Sequence, residues 1–163
     1  DINMKLNKSA ELIDEIILEA LNHINKRSVE HKITVCESDD IMLVDVDARL
    51  IVQVIINIVD NAIKYTPNGS EITISTERKD DMISVSIADN GNGIADNLKD
   101  KVFDMFYTGA NKIADSRRSL GLGLALCKTI ISAHGGEITV SDNNLHGAVF
   151  TFTLPVKEVD INE

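Results

Sequence analysis

Hydrophobic positions in residues 47–67, DARLIVQVIINIVDNAIKYTP, follow the period of an α-helix. Asp47 is placed to cap the start of this helix, and the helix ends at Thr66 because the following proline disfavours a helical conformation there. Apolar side chains cover most of the circumference, so the helix is predicted to be buried. Four polar side chains fall in one narrow stripe, Gln53, Asn57, Asn61 and Lys64, with Asp60 at its edge.

A polar stripe on a buried helix is predicted to face a cleft. The alternative is an ordinary solvated face, which is the commoner case for an arbitrary amphipathic helix. Solvated faces are usually filled with Lys and Glu, whereas asparagine is a poorer helix former than alanine by up to roughly 0.7 kcal/mol. Stacking Asn57 on Asn61 is therefore costly without an evident structural return, and it favours a polar function.

The rest of the chain contains helical and strand-like patterns. Residues 9–27 predict an amphipathic helix. Residues 32–36 and 41–44 are short β-type runs separated by turn residues, which predicts a hairpin. A further helix is predicted from Gly121 to about Ala133. The remaining strands are predicted at residues 71–77, 82–88, 137–141 and 148–154.

This order of elements predicts an α+β fold, a two-layer α/β sandwich in which about three helices pack on one face of a mixed sheet. Residues 95–120 have weak periodicity and predict a long, partly mobile loop with a short helix, more typical of a functional loop than of a linker. One domain is predicted over residues 1–155, and residues 156–163 are expected to form a disordered acidic tail.

Composition narrows the class of protein. A chain of 163 residues that is 44% hydrophobic can build one domain with a real core. The 26 acidic and 16 basic residues give a formal charge of -10, which argues against nucleic acid as a partner. Any phosphate ligand would therefore need a metal ion or basic side chains close to it.

The cysteines and the apolar runs indicate a reduced, cytoplasmic protein. Cys36 and Cys127 have apolar neighbours and no partner at metal-ligand spacing, so both are predicted to be small core residues and a zinc site is not supported. The longest apolar run is interrupted by Gln53 and Asn57 and falls short of the ~20 residues that a membrane span needs. The N-terminus is polar, and no signal peptide is expected.

Two glycine-rich turns add candidate chemistry. Asp89, Gly91 and Gly93 form a DxGxG sequence after a predicted strand, although this pattern alone occurs in many turns. Residues 121–124, GLGL, open a helix, whose free N–H groups can hold a phosphate; a simple loop-to-helix junction fits equally well. Combined with the asparagine stripe and a long loop carrying basic residues, the two turns predict a nucleotide site.

These segments resemble the motifs of the sensor histidine kinases in order and spacing. Residues 57–65, NIVDNAIKY, resemble the N box, residues 89–94, DNGNGI, the first glycine box, and residues 103–107, FDMFY, the F box. The other matching segments are residues 121–126, GLGLAL, which resemble the second glycine box, and residues 134–136 and 147–155, which resemble the closing strands.

The resemblance covers residues from about 47 to 155 and implies the catalytic ATP-binding domain of these kinases. It places the chain in the gyrase/Hsp90/histidine-kinase/MutL (GHKL) superfamily, with the Bergerat fold. Tyr65-Thr66-Pro67 and residues 147–155 are similar to the potassium-responsive KdpD-type kinases in particular. Ser119 departs from the family pattern, since a further glycine is usual there.

The resemblance implies that the domain binds ATP and Mg²⁺. Asp89 would accept a hydrogen bond from the 6-amino group of adenine, whereas guanine presents a carbonyl oxygen there. Asn61 would give its amide oxygen to Mg²⁺, and Asn57 and Lys64 would hold phosphate or metal-bound water. The other implied nucleotide-binding residues are Tyr65, Gly91, Gly93, Ile94, Tyr107, Arg117, Arg118, Gly121, Leu122, Gly123 and Leu124.

Three groups of these residues have distinct implied roles. Tyr65 and Tyr107 would wall the nucleotide, and the amides of the second glycine box would cradle its phosphates. Arg117 and Arg118 are candidates for lid contacts, with a solvated surface position as the alternative.

Position 57 is informative about mechanism. Gyrase-like, Hsp90-like and MutL-like ATPases carry a glutamate there as general base for water, four residues before the metal asparagine. Asn57 cannot take a proton at neutral pH, so attack by water on ATP should be slow. This suits a kinase that transfers its γ-phosphoryl group to a histidine.

The sequence around each N-terminal histidine lacks a phosphoacceptor box, because neither His23 nor His31 is followed by Glu-x-x-x-Pro. We expect the isolated chain to bind ATP–Mg²⁺ as a monomer without autophosphorylation. The implied partners are the helical dimerisation domain of the same kinase and a response regulator, in the cytoplasmic part of a membrane-bound sensor. The alternatives are a non-catalytic nucleotide-sensing or interaction module and a gyrase/Hsp90-like ATPase.

Overall fold

The computed structural model describes residues 4–24, 30–36, 38–104 and 123–158. The helices are α1 Ile13–Ile24, α2 Ala48–Tyr65 and α3 Gly123–Ala133, with short 3₁₀ turns at Asp96–Leu98 and Lys101–Phe103. The strands are β1 Ser9–Leu12, β2 Lys32–Val35, β3 Leu43–Val46, β4 Glu71–Lys79, β5 Met82–Asp89, β6 Ile138–Asp142 and β7 Ala148–Pro155.

Five strands form a mixed sheet in the order β2-β4-β5-β7-β6. The β2–β4 pair is parallel, and the other pairs are antiparallel. The first half of β4 and all of β5 and β7 alternate buried, mostly apolar residues with less buried ones, so one sheet face is covered. Buried residues of all three helices join this face in one core, which confirms the predicted α+β sandwich.

Helix α2 lies in the middle of the helical layer, since both α1 and α3 pack against it. Seven of its apolar residues are fully or almost fully buried; they are Ile51, Val52, Val54, Ile55, Ile58, Val59 and Ala62. The buried face leaves the polar stripe as the part of α2 that is open to a ligand. The central helix predicted from hydrophobic periodicity is therefore confirmed.

The start of α2 is held differently from the prediction. Asp47 occupies the N-cap position, but its side chain makes no capping hydrogen bond and instead accepts one from the Asn7 N–H at 3.1 Å. The Asp47 N–H donates to Nε2 of the buried His134, whose Nδ1 lies 2.8 Å from the Ile130 carbonyl oxygen. His134 thus joins the end of α3 to the start of α2.

The prediction that residues 32–36 and 41–44 form a hairpin is wrong. Strand β2 pairs in parallel with β4, and β3 pairs in antiparallel with β1. Helix α1 correspondingly begins at Ile13, since Ser9–Leu12 is the strand that pairs with β3. The turn residues between β2 and β3 indicated a change of direction, but strand partners come from distant parts of the chain.

Two smaller expectations are corrected as well. Cys36 is exposed at the end of edge strand β2, whereas Cys127 is buried as predicted. The predicted tail from residue 156 is folded at its start, because the Val156 N–H donates to the Asp81 carbonyl and the Lys157 N–H to the Leu43 carbonyl. Residues 159–163 lie outside the described residues. Within the described residues, no helix combines the length and apolarity that crossing a bilayer requires.

Candidate nucleotide site

The two asparagines of the polar stripe of α2 differ in their hydrogen bonds to the rest of the domain. Asn57 and Asn61 are half-buried. The Gln53 side-chain amide donates to Asn57 Oδ1 at 2.9 Å, which occupies that oxygen. Among the described residues, no hydrogen bond engages the Asn61 side chain, so its amide oxygen is open to an outside ligand.

The first turn of α3 meets this stripe at Asn57. Asn57 Nδ2 donates to the Gly123 carbonyl at 3.5 Å. Beneath this contact, the buried Cys127 thiol donates to the Val54 carbonyl at 3.7 Å. Burial raises the pKa of the Cys127 thiol to about 12, so the thiol stays protonated at neutral pH. Gly123 of the second glycine box therefore lies next to Asn57 of the N box.

Asp89 ends strand β5 and is buried, with 7% of the residue exposed. One oxygen, Oδ1, accepts the Gly91 N–H at 2.9 Å and the Ala148 N–H at 3.2 Å. No described residue donates to Oδ2. Asp89 is mostly buried and one of its oxygens has no donor among the described residues, so Oδ2 suits the donor group of a ligand.

The loop after Asp89 packs against the end of α2. A side chain at Gly91 would place its Cβ 2.6 Å from Thr66 Cγ2, so Thr66 would have to shift to accommodate any other residue there. Gly93 has a φ of +78°. The Thr66 hydroxyl donates to the Ala62 carbonyl and lies 2.9 Å from His31 Nε2. His31 is half-buried at this contact.

A second loop, residues 143–147 between β6 and β7, holds the Asp89 loop from the other side. Asn143 Nδ2 donates to the Asp89 carbonyl at 2.8 Å, and His146 Nδ1 lies 3.2 Å from the Gly91 carbonyl. Gly147 has a φ of +108°, and a Cβ there would lie 2.0 Å from the Asp89 carbonyl oxygen. Of these three residues, sequence reasoning singled out only Gly147, as part of the closing strands.

Lys99 connects the segment after the first glycine box to strand β6. Its ammonium group pairs with Asp96 and lies 2.9 Å from Asp142 Oδ1. The hydrogen bond from Lys99 lowers the pKa of Asp96, and the same carboxylates raise the pKa of Lys99. Because Asp142 precedes Asn143, this ion pair lies directly beside loop 143–147.

The remaining predicted residues divide into described and undescribed ones. The Lys64 ammonium lies 5.3 Å from the centre of the Tyr65 ring, at the exposed end of α2. Ile94 and Leu124 are half-buried against the core. Tyr107, Arg117, Arg118, Gly121 and Leu122 lie outside the described residues. The described residues of the N box and both glycine boxes thus lie around α2, and their roles in nucleotide binding stay predictions.

A polar depression of about 370 Å³ lies beside the Asp89 loop. Its lining residues are Pro67, Asn68, Gly69, Ser70, Asn90, Gly91, Asn92 and His146. It therefore shares Asn90, Gly91 and Asn92 with the Asp89 loop, and none of these described lining residues carries a carboxylate or ammonium group.

A central helix with an asparagine stripe, together with a buried aspartate that ends β5 before a glycine loop, forms the candidate nucleotide site of this α/β sandwich. Comparison with known proteins agrees, because the model of the family described as "Histidine kinase-, DNA gyrase B-, and HSP90-like ATPase" matches residues 46–158. The chain belongs to this family, as a histidine kinase catalytic domain.

The relatives support the same branch of the family. The chain is 43% identical to the sensor protein KdpD of Clostridium acetobutylicum. The match covers 94% of this chain and 17% of the length of that KdpD. It is 31% identical to the solved catalytic domain of the histidine kinase ThkA, with a TM-score of 0.78. That match covers 91% of this chain and 95% of the ThkA chain.

A third match is ThkA solved with the response regulator TrrA, with 31% identity and a TM-score of 0.75 over 93% of this chain and 42% of that one. The chain spans 17% to 40% of the length of the curated relatives that it matches first.

Proposed function

We propose that this domain binds ATP–Mg²⁺ and positions the γ-phosphoryl group for transfer to a histidine on a separate helical dimerisation domain. The observation that carries the proposal is the buried Asp89 carboxylate. Its Oδ1 is taken by the Gly91 and Ala148 amides, and its Oδ2 is left for a donor. The 6-amino group of adenine supplies that donor, whereas the 6-carbonyl oxygen of guanine would face a second acceptor.

The contacts of α2 orient the rest of the nucleotide. The Asp89 loop meets α2 at Thr66, and the first turn of α3 meets it at Asn57. Nine residues of helix separate these points, about 13 Å at the rise of an α-helix. Adenine at the Thr66 end therefore directs the phosphates towards Asn57 and the start of α3, where free helix N–H groups favour anions.

Asn61 fits the role of a magnesium ligand. Mg²⁺ prefers hard oxygen donors and is usually held by few protein groups together with phosphate oxygens. Asn61 lies one helical turn from Asn57, and no described residue engages its amide. When bound, the ion would neutralise charge developing on the transferred phosphoryl group. Lys64, one turn further on, adds positive charge to a domain whose formal charge is -10.

Asn57 supports phosphoryl transfer over hydrolysis. The side chain at this position is a neutral amide that is bonded to Gln53 and Gly123, so it cannot deprotonate water. The phosphoryl group then needs a better nucleophile, such as an imidazole nitrogen of a partner domain.

The proposed partners extend the same mechanism. A helical dimerisation domain would supply the histidine, and a response regulator would receive the phosphoryl group from it, as the ThkA–TrrA complex suggests for a relative. The isolated domain is proposed to be monomeric. It would work in the cytoplasm, where ATP is available, as part of a membrane-bound sensor.

Calorimetric titration tests nucleotide binding by this chain. ATP should bind, and GTP should bind at least tenfold more weakly, because a hydrogen bond to a charged group contributes about 1.5–3 kcal/mol. Adding Mg²⁺ should strengthen ATP binding in the intact chain and much less in an Asn61→Ala variant. Equal affinity for ATP and GTP would contradict the proposed role of Asp89.

Transfer of labelled phosphate tests the kinase activity. With γ-labelled ATP, the isolated chain should acquire no stable label, and it should label a histidine when the dimerisation domain of the same kinase is added. Steady release of phosphate by the isolated chain at a rate comparable to transfer would instead favour a gyrase-like ATPase. Binding of ATP without any labelling of the added domain would favour a nucleotide-sensing module.

A further inference from the structure

The loop of residues 143–147 makes a dense set of contacts with the loop that follows Asp89. The Asn143 side chain and His146 both reach carbonyl groups of that loop. The next residue, Ala148, donates its N–H to Asp89 Oδ1 at 3.2 Å. Gly147 lets the two backbones approach so closely that a Cβ would overlap the Asp89 carbonyl.

Asp89 is therefore fixed at two points, by this loop and by the first residue of β7. Asn143 holds the backbone carbonyl from one side, and Ala148 holds one side-chain oxygen. The direction of Oδ2 depends on both, since rotation of either the Asp89 peptide or its carboxyl group would turn Oδ2 away from a ligand. Only the Asn143 contact is made by a side chain, so it can be removed by substitution.

The orientation of the Asn143 amide is determined by its surroundings. The side-chain Oδ1 of Asn143 accepts the Asn144 N–H at 2.9 Å. The backbone N–H of Asn143 donates to the Gly147 carbonyl at 3.0 Å, which holds the residue in place. Flipping the amide would place its NH₂ against the Asn144 N–H and its oxygen against the Asp89 carbonyl. Both contacts would be repulsive, so the NH₂ group is directed at Asp89.

We propose that Asn143 is a positioning residue for adenine specificity, acting through the Asp89 carbonyl to aim the Asp89 carboxylate at the 6-amino group. This inference rests on the proposed function. It adds a specificity determinant outside the N box and both glycine boxes, on a loop between two strands.

An Asn143→Asp variant tests the proposal. The aspartate keeps the oxygen that accepts the Asn144 N–H and loses the NH₂ that donates to Asp89. Asn144→Asp is the matched control, because it adds the same charge one residue away at an exposed position. Asn143→Ala removes the donor without adding charge.

The measurement compares the affinity for ATP with that for purine riboside triphosphate, which lacks only the 6-amino group. The ratio of the two affinities reports the amine contact alone. We expect both Asn143 variants to reduce this ratio severalfold, up to about tenfold, and Asn144→Asp to leave it unchanged. A purely structural loss would lower the melting temperature and weaken both nucleotides equally.

The outcomes separate this inference from the proposed function. If the intact chain binds both nucleotides equally, the role of Asp89 in adenine recognition is wrong. If the intact chain prefers ATP and both Asn143 variants keep that preference, Asp89 recognises adenine without help from Asn143, and the inference is overturned.

Discussion

Replacing Asp89 with asparagine should weaken ATP binding by roughly tenfold to a hundredfold and remove the preference for ATP over GTP. The substitution is nearly isosteric, and Oδ1 of the asparagine can still accept the Gly91 and Ala148 amides. The NH₂ group then replaces Oδ2. It would oppose the 6-amino group of adenine and could donate to the 6-carbonyl oxygen of guanine.

Asp81→Asn is the matched control for this experiment. Asp81 immediately precedes β5, Asp89 ends it, and the Asp81 side chain is exposed. The control makes the same change in charge and should leave both affinities unaltered. Calorimetry with ATP and GTP measures the effect, and thermal unfolding without nucleotide should show little change for either variant. ATP affinity equal to that of the intact chain would mean that adenine does not contact Asp89.

Local patterns in the sequence predicted the elements that depend on local properties. Helix α2 was predicted from its apolar period and its terminal proline, and strands β4, β5 and β7 from their alternation. The contact of Asn57 with Gly123 joins two motifs that the resemblance had already assigned to one site. Such features are predictable because the relevant spacing lies within one element or one motif.

Features that depend on partners far apart in the chain were missed. Nothing local in Ser9–Leu12 marks it as a strand, because its partner β3 lies more than 30 residues away. Asp47 was predicted to cap α2 but bonds the Asn7 amide instead. Asn143 carried no signal, since its function depends on a contact with Asp89, 54 residues earlier.

Gly147→Ala should destabilise the domain by more than about 3 kcal/mol and also weaken ATP binding. The alanine Cβ would lie 2.0 Å from the Asp89 carbonyl oxygen, so the two backbones must separate. In addition, a φ of +108° is unfavourable for any residue with a Cβ. Separation would break the bonds from Asn143 and Ala148 to Asp89, which links the loss of stability to the loss of adenine recognition.

Gly69→Ala distinguishes the two causes of that loss. Gly69 also has a positive φ, +89°, but a Cβ there would meet no atom within 4 Å. Gly69→Ala should therefore lower the free energy of unfolding only by the backbone strain, about 1–2 kcal/mol. Urea unfolding measures both variants, and the excess for Gly147→Ala reports the close approach of the two backbones. If the two substitutions cost the same, loop 143–147 can move away from Asp89 without penalty, and the contacts of this loop do not fix the carboxylate.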